Sequence, residues 1–408
     1  MQNEDLLPKG FVYLSNEDVI ARHTVLGKFI AESNNIFTEI VEFPPVAFSK
    51  MFKKGANITG DKTFEFKDKK NRDLILTPDS QAHIFNHYLA SHSANTSARY
   101  SWISPIFRYR NLPSRYFHQI GYASVNYPKD DEVAELSVCV IRLISFIKKV
   151  FPKKINITLV NPAVLFKLIS CCCETTQETI FLYDKIRNAR ADDKNQIVEN
   201  SFGNSPIKNA LQKLFSNSLT KSDLQGFDEA SSEYGKVQIL AQRLLQIDGL
   251  EIEIELANLY SSEILGGTGF ILKSENHKIA DGGIYDLYSK KYSELINTFI
   301  SVATGVNPLS EGHKISAKRV LILVENYEED IDSVLLIANA LSAAGYRTSM
   351  YATKSNNKQR IRETDWTIFI DKASGDTMSG KLLYPINGFC EKFLEYSPAK
   401  IVSLINSA

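Results

Sequence analysis

The run Phe107-Arg108-Tyr109-Arg110-Asn111-Leu112-Pro113-Ser114-Arg115-Tyr116-Phe117-His118-Gln119-Ile120-Gly121 decides how this chain is to be read. The apolar pair Ile106–Phe107 leads into it, and alternation fails around Asn111, Pro113 and Ser114. Apolar and aromatic residues resume at Tyr116, Phe117, Ile120 and Tyr122. Strand, polar loop, strand is the pattern of an antiparallel hairpin. Arg108, Arg110 and Arg115 lie on or beside its loop. A guanidinium fork matches phosphate or carboxylate oxygens in a way that a lysine point charge does not, and Phe117 offers a face to a flat ring. A solvated hairpin with three surface arginines fits the same residues.

The run Arg108 to Gly121, with Phe117-His118-Gln119-Ile120-Gly121 at its end, resembles the second signature motif of class II aminoacyl-tRNA synthetases, in the histidyl branch. The resemblance implies that Arg108 meets the ATP α-phosphate. It assigns Arg108, Arg115 and Phe117 to nucleotide binding. It also implies an α+β fold: a class II synthetase-type antiparallel sheet with flanking helices, followed by a small C-terminal α/β domain of the anticodon-binding kind.

Composition agrees with a soluble chain of more than one domain. The 408 residues can bury a large core, and 44% hydrophobic with 23% charged residues is ordinary for a globular protein. Lys+Arg and Asp+Glu both number 47. The balance argues against strong nonspecific attraction to nucleic acid and leaves room for a local basic patch. There is no bilayer-length apolar run and no charged-then-apolar leader at 1–10, so a cytoplasmic location without membrane attachment is expected. The five cysteines are Cys139, the run Cys171-Cys172-Cys173, and Cys390. The odd count and the lack of a CxxC pair argue against a disulfide framework and a zinc site. The triple run reads as part of a buried helix.

Upstream of the hairpin, Ser15 with Asp18 forms a plausible cap for a helix to about Glu32. Pro8-Lys9-Gly10 before it is similar to the histidyl family's entrance, and His23 packs beside the helix. Phe37–Phe43 alternates as a strand ended by Pro44-Pro45. It resembles motif 1, which builds the class dimer interface, so a homodimer is expected; a proline-capped edge strand is the plainer reading. Val46–Phe52 reads as a short helix or turn. Thr63–Phe66 and Leu74–Thr77 form a second hairpin, and Pro78-Asp79-Ser80-Gln81 leads into a helix from Ala82 to about Leu89. The family's Arg-Pro-Glu stands here as Thr77-Pro78-Asp79. The resemblance implies that Asp79 holds a substrate amino group, with Gln81 beside it; Asp79 also suits a helix cap.

Downstream, Asp130 to about Lys149 is helical, with acids in the first turn. Ile155–Val160 is a strand, followed by a helix through the cysteines. Gln177 to Gln246 reads as helical, interrupted at Gly203-Asn204-Ser205-Pro206, and resembles the family's helical insertion (about 175–248). Leu250–Leu256 alternates as a strand. Gly266-Gly267-Thr268-Gly269 stands where the family carries the Arg-Gly-Leu-Asp-Tyr-Tyr-Thr-Gly run that reads histidine. Only Thr268-Gly269 is kept; the tyrosines become Gly266 and Gly267, and the Arg place falls near Ser262. A later run, Gly-Gly-Gly-Arg-Tyr-Asp, resembles Asp281-Gly282-Gly283-Ile284-Tyr285-Asp286, with Ile284 in the Arg place. Phe299–Val306 occupies the place of motif 3, yet no Arg lies from Ile284 to Lys318. Beyond a polar linker at 310–317 come a strand (Lys318–Val324), a helix (Asp330–Ala344) and a strand (Thr348–Tyr351). A helix (Asn356–Thr364), a strand (Trp366–Ile370) and a last helix, about Gly388–Tyr396, complete a small α/β unit with a parallel sheet. The domains expected are therefore 1–312 and a shortened 318–408.

The departures gather at the chemistry. The family places an acid for Mg²⁺ just past the Phe-His-Gln-x-Gly run, where this chain has Ala123, and its acid beside adenine is Arg110. ATP and Mg²⁺ are thus implied as weakly bound or absent. Three readings follow: a catalytically degenerate paralogue that regulates or scaffolds a partner enzyme, an enzyme adenylating another amino acid or acid, and a histidyl-tRNA synthetase. The first is preferred, with a homodimer, a protein partner and no required tRNA. The regulatory subunit of ATP phosphoribosyltransferase is an instance of that role in the family. A retained ligand pocket is expected to use Asp79, Gln81, Gln119 and Tyr122 on one side and Gly267 and Thr268 on the other.

Overall fold

The computed structural model describes residues 7–35, 38–53, 63–92, 96–109, 114–151, 153–203, 205–258, 266–275, 277–285, 296–310, 318–325, 327–353, 365–374, 377–384 and 389–407. They divide into two compact units, Met1–Lys314 and Ile315–Ala408. No helix among the described residues is long and apolar enough to cross a membrane.

Helix α1 (Asn16–Ser33) opens the first unit on a capping box. The Ser15 side chain accepts from the Asp18 N–H, and the Asp18 carboxylate accepts back from Ser15. Its face of Ala21, Val25 and Phe29 is buried. Strand β1 (Glu39–Glu42) lies at the edge of the main sheet. Val46–Phe52 is not simply a helix or turn: Val46–Phe48 is strand β2, followed by the short helix α2 (Ser49–Lys53). With β3 (Glu65–Lys67) and β4 (Asp73–Leu76), β2 forms a three-stranded sheet. Helix α3 (Gln81–Ser91) follows.

The quoted hairpin comprises β5 (Ala98–Phe107) and β6 (Tyr116–Val125), paired from Ala98↔Val125 to Phe107↔Tyr116. Arg110 and its loop neighbours lie outside the described residues. Helix α4 (Glu132–Val150) carries Leu136, Val140, Leu143 and Ile147 on its buried side. Glu132 and Glu135 in its first turn and Lys148 and Lys149 in its last complement the helix dipole. Strand β7 (Asn156–Val160) leads to α5 (Pro162–Ser170), capped by the Asn161 side chain. That helix stops before the cysteines, contrary to expectation. Cys171 and Cys172 turn out into solvent, because the chain must reverse there into the insertion.

The insertion packs as α6 (Thr176–Asn188), α7 (Ala191–Phe202), α8 (Pro206–Phe215) and α9 (Asp228–Leu244). Then follow β8 (Glu251–Ile254), β9 (Gly269–Ser274), β10 (His277–Ile284), β11 (Phe299–Gly305) and the one-turn α10 (Val306–Ser310). Among the described residues the main sheet has eight strands in the order β1-β5-β6-β11-β10-β9-β7-β8. Its centre, from β5 through β7, is antiparallel, and the two edge strands run parallel to their neighbours. This is the α+β, antiparallel-sheet architecture expected from the sequence.

The second unit has β12 (Arg319–Val324), α11 (Tyr327–Ala343), β13 (Arg347–Ala352), β14 (Trp366–Ser374), β15 (Thr377–Tyr384), β16 (Phe389–Tyr396) and α12 (Pro398–Ser407). Its sheet runs β13-β12-β14-β15-β16 and is mixed, not purely parallel. The expected helix over 388–396 is a strand. Phe393 is buried in the core while its neighbours Lys392 and Leu394 are exposed, a two-residue alternation that a short apolar count does not separate from a helix. The helix expected at 356–364 lies outside the described residues.

Candidate functional site

The period of two along β6 divides its side chains between two faces of the sheet. Ile120 and Tyr122 join the core formed with α1 and α4. Ser124 donates to Glu135 Oε2 on α4 at 3.0 Å, a carboxylate that also takes a bidentate pair from Arg99 at 2.6 and 3.0 Å. The residues between them, Phe117, Gln119, Gly121 and Ala123, face the other way. Tyr122 is therefore not beside Gln119. It is buried against Phe29, ring centroids 5.4 Å apart, on the side opposite the pocket face.

One backbone bond and one side-chain bond assemble the mouth of the site. Phe107 N–H donates to Thr77 O at 2.8 Å, and Arg108 Nε donates to Pro78 O at 2.8 Å. The segment bearing Asp79 is thereby fixed beside the guanidinium of Arg108. On the other strand, Arg115 N–H donates to Gly10 O at 2.8 Å. Gly10 has φ +83°, and a Cβ there would stand 2.6 Å from Arg115 Cγ, so only glycine lets the N-terminal segment lie this close. Arg108 and Phe117 do meet, the guanidinium carbon 5.8 Å from the ring centroid. Arg115 lies under the mouth. It is buried, with its guanidinium 4.0 Å from the Tyr109 ring centroid.

Asp79 is 7% exposed, and its Oδ1 accepts from the Gln81 N–H at 2.8 Å. Burial raises its carboxyl above the usual range. The Arg108 charge opposes that shift and the Asp281 charge adds to it. Gln81 is buried as the first residue of α3. Two histidines nearby in sequence are held neutral by burial. His83, stacked on Phe43, and His118 are each lowered to about 4.

The opposite wall differs from expectation at one residue. Gly267 is buried beside Ile284, whose Cβ is 3.5 Å from where a Cβ on Gly267 would stand. Thr268 is fully buried, and its hydroxyl accepts from Asn161 Nδ2 at 3.1 Å, the amide that also reaches Glu233 on α9. Thr268 thus ties the start of β9 through Asn161 to Glu233 of the insertion. Ala123 is 1% exposed in an apolar cluster with Trp102, Tyr100 and Ile271.

Asp281 and Trp102, in one row on the pocket face, are not among the site residues expected from the sequence. Asp281 pairs with Ala303, which pairs with Gly121, which pairs with Trp102, a single row across four strands. Asp281 also lies opposite Ile271, a member of the pocket-side cluster. A charged residue in the otherwise apolar and glycine-rich stretch Ile279–Ile284 is the signal by which the sequence could have marked Asp281.

The family profile described as histidyl-tRNA synthetase matches residues 34–298, more than half of the chain. The chain belongs to the histidyl-tRNA synthetase family. Among curated members, it is 26% identical over 153 residues to the histidine–tRNA ligase of Mesomycoplasma hyopneumoniae, an alignment covering 36% of this chain and 35% of that one. It is 31% identical over 122 residues to that of Thermosynechococcus vestitus, covering 29% and 28%. The alignments thus span about a third of the length of these histidyl-tRNA synthetases. Of solved structures, an ATP phosphoribosyltransferase regulatory subunit/histidyl-tRNA synthetase from Bacillus halodurans superposes with a TM-score of 0.71 at 15% identity, over 88% of this chain and 96% of that one. The histidyl-tRNA synthetase of a Nostoc species gives 0.68 at 14% identity over 98% of both. At such identity these likenesses show the fold, which is that of the family.

ATP and Mg²⁺ are the ligands that the histidyl-tRNA synthetase family generally uses. Phe117 with Arg108 suits a nucleotide ring and phosphate. Position 123 does not suit a metal, since a methyl group packed among apolar side chains offers no oxygen.

Proposed function

We propose that this member of the histidyl-tRNA synthetase family is a ligand-binding regulatory or scaffolding subunit and not a working tRNA synthetase. The observation that carries this reading is Ala123, 1% exposed and packed against Trp102 where the family resemblance places the acid for Mg²⁺. Ile284 supports it. In the place of the family's Arg stands an aliphatic side chain, 3% exposed and closed against Gly267. Adenylate formation depends on fixed positive charge around the phosphates, and the segment in the place of motif 3 carries no Arg from Ile284 to Lys318 to supply it. The Bacillus halodurans neighbour, described as an ATP phosphoribosyltransferase regulatory subunit/histidyl-tRNA synthetase, supports the reading by its shared fold. By that analogy the partner is a protein, the assembly is a cytoplasmic homodimer, and tRNA is not required.

ATP–pyrophosphate exchange tests the reading. Exchange at background with each of the twenty common amino acids is expected; robust exchange with histidine overturns it. A second reading is favoured by Arg108 lying over Phe117 at 5.8 Å. It is an enzyme that adenylates a different amino acid or acid, and exchange with a non-histidine substrate establishes it.

A further inference from the structure

A chain of side-chain bonds runs from the helical insertion to the start of β9. At one end Lys236 on α9 places its ammonium 2.7 Å from Glu132 Oε1 on α4 and 2.5 Å from Glu233 Oε1 on its own helix. The other oxygen of Glu233 accepts from Asn161 Nδ2 at 3.1 Å, and so does the Glu233 carbonyl. The same Nδ2 donates to Thr268 Oγ1 at 3.1 Å. Beyond Thr268 the backbone takes over. The Ile284 N–H donates to Thr268 O, and the Gly266 N–H donates to Ile284 O, both at 3.1 Å. Gly266–Thr268 is thus held by Ile284 on one side and by the Asn161 amide on the other.

Asn161 is a fixed joint between two movable neighbours. It is fully buried between β7 and α5, and its Oδ1 accepts from the Ala163 N–H at 3.0 Å as the cap of α5. That bond decides which way the amide points, so its two hydrogens serve Glu233 and Thr268. While α9 is docked, Asn161 is out of water and its bond to the buried Thr268 has the strength of an interior one. When α9 lifts, water reaches the amide and competes for it. Lys236 favours the docked arrangement, because without its charge Glu132 and Glu233 are left as neighbouring anions.

We propose that the helical insertion and the Gly266–Thr268 wall open and close as one unit, with Glu233 and Asn161 transmitting the docking of α9 to Thr268. The inference rests on the regulatory reading for its use: a protein partner that holds the insertion docked holds this wall closed, and by reciprocity closure of the wall favours the partner.

Amide hydrogen exchange of the full chain, which reads local opening segment by segment, tests it. Glu233→Ala changes only the insertion, yet it is expected to speed exchange across 266–272 and at Ile284 by about fivefold, the effect of one weakened buried hydrogen bond, while the β5–β6 hairpin is unchanged. Thr268→Val is similar in shape and lacks the hydroxyl, and it is expected to speed exchange in α9 in return. In the double variant the two effects on 266–272 are expected not to add, since each breaks the same joint. Lys236→Met is the milder variant, leaving the bonds between Asn161 and Glu233 available, and it is expected to act in the same direction as Glu233→Ala. An effect of Glu233→Ala and Lys236→Met confined to α9, with 266–272 exchanging at the wild-type rate, overturns the inference. So does full additivity in the double variant. Pyrophosphate exchange is measured separately, so failure of the regulatory reading is distinguishable from failure of this coupling.

Discussion

Asp79 has two duties that substitution can separate. Its Oδ1 satisfies the first helical N–H of α3, and its charge is held in a buried place beside Arg108. Asp79→Asn keeps an acceptor at the same position and removes the ionisable group. Burial raises the folded-state pKa, so ionisation opposes folding as pH rises above the ordinary 3.8 through the raised value. At pH 7 the Asn variant is therefore expected to melt at the same temperature as wild type or higher, while ligand binding falls at least tenfold. Asp79→Ala also loses the acceptor and is expected to cost about 1 kcal/mol, as for a lost cap. Thermal melts of both variants at pH 5 and 7 decide it. An Asn variant less stable than wild type at pH 7 would mean that the carboxylate is stabilising and the buried-charge reading is wrong. Asp79 was legible because proline, acid and helix start follow one another in the sequence. Tyr122 was misassigned because Gln119 and Tyr122 are three apart, an odd separation that a strand places on opposite faces.

At the scale of the element, β6 depends on Gly121. A Cβ there would stand 2.0 Å from Val302 O and 2.6 Å from Trp102 Cζ2, and neither backbone nor buried indole can retreat. Gly121→Ala is expected to destabilise the first unit by about 2 kcal/mol or more, read as a lower midpoint in urea unfolding. A midpoint within error of wild type would show that Trp102 does not lie over the strand as described. The main sheet was legible almost throughout, because its strands alternate and are bounded by prolines and glycines. The last strand of the second unit was not. Phe389–Tyr396 carries apolar residues at spacings compatible with either period, and its pairing with β15 is a tertiary fact. Asp281 was quoted in the sequence as part of a degenerate run, but its place in a row with Trp102 depends on the order β6-β11-β10, which no local pattern contains.

At the scale of the whole molecule, the edge strand β1 is the exposed end of the main sheet. Its residues are half-buried or exposed in a single chain, and motif 1 of the class pairs with itself about a two-fold axis. Sedimentation at micromolar concentration is expected to show a dimer of the 45.9 kDa chain. A species of monomer mass across that range would remove the assembly from the proposed function.

The burial of Ile284 and Ala123 bears on the history open to such a chain. Returning the family's charged residues one at a time would place an unpaired guanidinium at a site 3% exposed, or a carboxylate at one 1% exposed. An isolated buried charge destabilises a protein by several kcal/mol, comparable with its whole margin. Each single reversal would be removed by selection as a folding defect before any chemistry returned. Under the proposed function, packing acts as a ratchet: single substitutions that restore charge meet a folding cost before they can restore chemistry.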